Sequence, residues 1–173
     1  MDGGVVALRE LAVYCAGEAG RWCDWLAQQD AALLALPVGE AQIATVGTLL
    51  MHVAWVDRAY VDVLTGTQTE YEWLPIDSVE QVRAMHETTF ARLFAWLDTA
   101  TAADLARERT LRVRGLRLTA SGDKMLAHTL VHGIRHYAQL ATKLREQGHV
   151  QPWQHDLILE EGFGPAAAFE QEA

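Results

Sequence analysis

No stretch of this sequence stays apolar for the ~20 residues needed to cross a bilayer, although 50% of its residues are hydrophobic. Its first ten residues, MDGGVVALRE, lack a basic region followed by an apolar block, so the expectation is a cytoplasmic protein. Basic charge is scarce as well. Fourteen Lys and Arg stand against 23 Asp and Glu, a formal net charge of -9, which argues against nucleic acid as a partner because phosphate backbones are bound by clustered cations. The one basic cluster, ARERTLRVRGLRL, is too local to reverse that. Cysteine is limited to Cys15 and Cys23, two helical turns apart on one predicted helix and out of reach of each other, which suits reduced core residues in a reducing compartment. The sequence also has no HExxH, no CxxC and no P-loop, and its sole Glu-x-x-His, Glu146 to His149, straddles a helix stop at Gly148.

What is present is helical periodicity. The 173 residues suffice for one domain, residues 1–173, of which 151–173 read as a C-terminal tail with Pro152 and Pro165. From Val5 to about Gln29, Leu8, Leu11, Cys15, Ala19, Trp22 and Leu26 recur at helical spacing, with Gly17 and Gly20 as places where the helix can bend. Pro37 and Gly39 break the pattern. Thr45 is then placed to cap a second helix through Leu49, Leu50, Val53, Val56, Tyr60 and Leu64, stopped near Gly66, with loop over 67–77.

Ser78 with Gln81 signals a third helix carrying Val82, Met85, Phe90, Leu93 and Leu97, and running to about Asp98. Alternation in RTLRVRGLRLTA, broken by Gly115, suits a small hairpin, an extended arm or, equally, irregular chain. The last helix spans about Asp123 to Gln147, ahead of Gly148. Four amphipathic segments with short connectors predict an all-α four-helix bundle, whose sites are built from side chains on facing helices. The six tryptophans read as core and rim packing.

The chemistry lies in HTLVHGIRHYAQL, residues 128 to 140. Residues four apart on a helix face nearly the same way, so His128 with His132, or His132 with His136, can converge on one ion. Each step of four drifts by roughly 40°, so all three cannot serve together and a third ligand must come from another helix. His52, between Leu49 and Val53, is the best candidate. His86 is a weaker one, since Met85 already fills its stripe, and His149 and His155 are expected to be solvated in the tail. Asp57 points about 140° away from His52, so no general base is evident.

LLMHVAWVDRAYVDVL resembles the second helix of the DinB/YfiT-like metal-binding four-helix bundles, and HTLVHGIRHYAQLATKLREQG resembles their last helix, where a typical member reads H-x-x-x-H-x-x-x-H-R-G-Q. Carried over by position, the resemblance implies a metal triad of His52, His132 and His136, with His128 not a ligand. Tyr137 and Ala138 replace the usual Arg-Gly, and only Gln139 of that ending remains. The implied cofactor is a divalent ion, with Zn, Ni and Fe all open, in a thiol-dependent transferase or isomerase using a low-molecular-weight thiol such as mycothiol, bacillithiol or glutathione. A metal-dependent hydrolase and a noncatalytic, stress-related metal-binding bundle stay open as alternatives. The resemblance and the apolar composition together point to a homodimer acting on a small molecule.

Overall fold

The computed structural model describes residues 3–67, 78–113 and 115–157. Four long helices form the bundle: α1 (Gly3–Leu26), α2 (Val46–Leu64), α3 (Val79–Leu97) and, after a short α4 (Ala102–Ala106) and a hairpin, α5 (Gly122–Glu146). The hairpin consists of β1 (Glu108–Val113) and β2 (Leu116–Ser121), antiparallel, with Leu111 opposite Leu118 and Arg112 opposite Arg117. Its turn uses Gly115 at φ +75°, in the left-handed region that favours glycine. The expected all-α bundle with a hairpin before the last helix is what the chain forms. Most of the loop expected over 67–77 lies outside the described residues, as does Trp73.

The caps explain where the helices start. Thr45 and Thr48 satisfy each other's backbone N–H groups in a reciprocal capping box, and the Ser78 hydroxyl accepts from the Gln81 N–H at 3.4 Å. Gly66 at φ +80° and Gly148 at φ +86° follow the ends of α2 and α5. α1 runs unbroken through Gly17 and Gly20. The connection from α1 to α2 is less irregular than its Pro37 and Gly39 suggest, holding two short 3-10 helices, Ala31–Ala35 and Ala41–Ile43. Helix α4, capped by Thr101 and Asp104, is an element that hydrophobic periodicity does not reveal because a single turn offers no repeat.

Around the core, α2 packs against α3 and α5, and α1 packs against the other sides of α3 and α5. Trp22, Leu49, Leu126, Leu130, Leu140 and Leu144 are buried at the centre. The neighbourhood of α2 and α5 decides the site, because it brings His52 towards the histidines of the last helix.

Two tail and core expectations are corrected. His155 is not solvated: its Nδ1 lies 2.7 Å from Oε2 of the buried Glu18, its ring stacks on Trp22, and its carbonyl accepts from the Tyr14 hydroxyl at 2.6 Å. Glu18 also accepts from Arg21 and from Trp153 Nε1 at 3.2 Å. Burial alone would raise the Glu18 carboxyl, but the bonds from His155 and Arg21 outweigh it and hold its pKa below the usual value. His86, in turn, is only 4% exposed while Met85 is half-buried, so the polar residue, not the apolar one, occupies the core stripe of α3.

Candidate metal centre

His52 sits in the middle of α2 between the buried Leu49 and Val53, while His132 and His136 occupy successive turns of α5. The Nε2 atoms of His52 and His132 are 3.0 Å apart. One donor nitrogen from each of the three imidazoles lies within 4.8 Å of the other two, and this is the group with metal-ligand spacing among the described residues. The rings stand at steep angles to each other, 57° between His52 and His132 and 89° between His52 and His136, with centroids 4.9 and 5.0 Å apart. Ligand nitrogens around a tetrahedral ion with bonds of ~2.0–2.1 Å stand roughly 3.3 Å apart, a spacing these side chains reach with small rotations.

His128 stays outside the cluster. It is exposed, its ring centroid lies 5.0 Å from that of Tyr60 and 5.9 Å from that of His132, and it takes no part in the convergent set.

The protonation states suit a ligand set. Burial, and then the neighbouring His136, His52 and His128 rings, push the His132 imidazole down to about 3, and burial lowers His136 despite an opposing hydrogen bond from Gln139. A neutral imidazole has a lone pair to give. The bond between His136 Nδ1 and Gln139 Oε1, 3.1 Å long, selects which nitrogen gives it: with the proton on Nδ1, Nε2 is the acceptor face. Gln139 is itself held, its Nε2 donating to the Val38 carbonyl at 3.1 Å.

The sequence model of the DinB family matches residues 5–163. The chain belongs to the DinB family. Comparison with curated proteins gives no significant match. This DinB-family bundle thus carries a histidine cluster capable of coordinating a divalent ion, built from two adjacent helices. No helix among the described residues is long and apolar enough to cross a membrane.

A second polar group lies deeper in the core, around Asp57. Asp57 accepts from the Thr129 hydroxyl at 2.8 Å, lies 3.7 Å from His86 Nδ1, and burial raises its carboxyl to about 7. The Tyr137 hydroxyl lies 3.3 Å from His86 Nε2, and its ring stacks on Trp22. Burial also lowers His86 to about 4. Thus Tyr137 serves a polar seam across the core. Sequence reasoning passed over Gln139 as a positioning residue, although its spacing of three from His136 was the available signal.

Proposed function

We propose that His52, His132 and His136 hold one divalent ion and that the protein is a metal-dependent thiol transferase or isomerase acting on a small electrophile. The observation that carries this reading is a convergent three-imidazole set that no carboxylate or thiol joins among the described residues. Cys15 is buried, donates its thiol to the Leu130 carbonyl at 3.6 Å, and is pushed far up by burial. Cys23 is also buried and raised to about 11, so neither supplies a thiolate at neutral pH. Asp57 is committed to Thr129 on the core side.

A divalent ion with open positions lowers the pKa of a bound thiol, giving a nucleophile without a dedicated protein base. The chain's own part is to position the ion: His52 and the His132/His136 pair fix it between α2 and α5, and Gln139 orients His136, while the neighbouring Leu49, Val53 and Leu140 are buried in the core. Elemental analysis of His52→Ala, His128→Ala, His132→Ala and His136→Ala tests the ligand set. Only the His128 variant is expected to keep its metal, and metal loss there with retention in the His136 variant would overturn the assignment. Titration of the cobalt-substituted protein with mycothiol, bacillithiol and glutathione should give a sulfur-to-metal charge-transfer band with at least one of them. A silent titration with all three makes hydrolysis or a structural role the better account.

A further inference from the structure

Three imidazoles bring no negative charge to a metal ion, and no carboxylate joins them among the described residues. A charged group that does reach them is a cation. Arg135 Nη2 lies 3.2 Å from His136 Nε2, the nitrogen that the Gln139 bond leaves free to ligate. Several arginines elsewhere in the fold are paired with carboxylates: Arg9 with Asp98, Arg21 with Glu18, Arg83 with Asp24 and Arg92 with the buried Asp62. Arg135 makes no such ion pair among the described residues and is exposed. A divalent ion beside a guanidinium is a repulsive arrangement unless an anion lies between them.

Val131, one turn before Arg135, is 58% exposed despite its size. His128, Val131 and Arg135, at spacings of three and four, share one outward edge of α5 next to His132. An apolar contact and a bidentate cation therefore flank the imidazoles on the solvent side.

We propose that Arg135 is the specificity-determining residue of this site, and that the thiol it admits carries a carboxylate, gripped by the guanidinium while the carbon skeleton lies along Val131. This rests on the thiol reading above. Arginine suits the task because its planar fork meets both oxygens of a carboxylate, a match that lysine's point charge does not reproduce.

The test uses the full chain loaded with Co²⁺ and two simple thiols, mercaptoacetate and 2-mercaptoethanol, which differ in carrying a carboxylate or a hydroxyl. Affinities are read from the sulfur-to-cobalt band. The expected result is mercaptoacetate binding about tenfold more tightly to the parent protein, a preference lost in Arg135→Gln and partly kept in Arg135→Lys, with cobalt content equal in all three. Equal affinities in the parent protein overturn the proposal. So does a preference that survives in Arg135→Gln, the result expected if the carboxylate chelates the metal by itself. If neither thiol gives a band, the thiol reading fails separately, and an azide titration followed in the ligand-field bands judges Arg135 alone: weaker binding in Arg135→Gln supports anion recognition by this residue, and unchanged binding overturns it.

Discussion

His136 and Gln139, one turn apart on α5, are joined by a 3.1 Å bond between Nδ1 and Oε1, and through it the imidazole of His136 answers to the carbonyl of Val38 on a distant connection. A ligand held by its other nitrogen cannot rotate or exchange tautomers freely, which raises both the precision and the basicity of the donor.

Replacing Gln139 by Leu should therefore weaken metal binding about tenfold to a hundredfold while leaving helix content unchanged. Competition with a chromophoric chelator measures it. An unchanged affinity would show that His136 is oriented without Gln139.

Gly39 holds the connection that presents Val38. A Cβ there would fall 2.4 Å from the Ile43 carbonyl oxygen and 3.2 Å from Gln139 Nε2, and the first contact is with backbone that cannot swing aside. Gly39→Ala should cost about 1–3 kcal/mol of stability and lower metal affinity as the Gln139 variant does. Denaturant melts with and without metal separate the two effects, and a variant matching the parent in both would refute the coupling.

Gly133, between His132 and His136 on α5, is the opposite case. A Cβ there would meet only Tyr137 Cε2 and Val53 Cγ1, each at 3.9 Å, which is ordinary contact. Alanine is favoured over glycine in a helix interior by about 1 kcal/mol, so Gly133→Ala should raise Tm by roughly 2–4 °C. A lower Tm would mean that the core of α5 has no room there.

Asp57 lines a small cavity of about 10 Å³ together with Cys15 of α1 and Thr129 and Tyr137 of α5, and lies 3.7 Å from His86 Nδ1 of α3. Burial raises its carboxyl from 3.8 to about 7. The folded state thus holds a proton that the unfolded chain gives up, and this residue's contribution to stability falls as pH rises from about 4 through 7. His86, lowered to about 4, works in the other direction: its contribution falls as pH drops from 6.5 towards 4. In Asp57→Asn the first effect disappears. The variant should gain stability relative to the parent, by an amount on the order of a few kcal/mol, as pH is raised from 4 to 8. Urea melts across that range measure the difference, and a gap independent of pH would contradict it.

Local sequence by itself determined most of the helices and the hairpin. A 3.6-residue repeat needs no knowledge of neighbours, Thr45 and Ser78 cap through bonds to residues three positions on, and alternation about Gly115 closes a hairpin. The same local geometry put His132 and His136 on one face of α5. It left His128 with His132 as an equal pair, because nothing within one helix distinguishes the upper turn from the lower. Packing decided between them: α2 lies against α5 at a height that brings His52 to His132 and His136 and leaves His128 beside Tyr60. His86 and His155 show the same limit. Each is a polar residue whose place in the core depends on partners remote in sequence, Asp57 and Tyr137 for one, Glu18 and Trp22 for the other. Gln139 reaching Val38 across 101 positions and Arg135 resting beside His136 were likewise set by tertiary structure, since a hydrogen bond or a charge gains its worth from the group that it meets after folding.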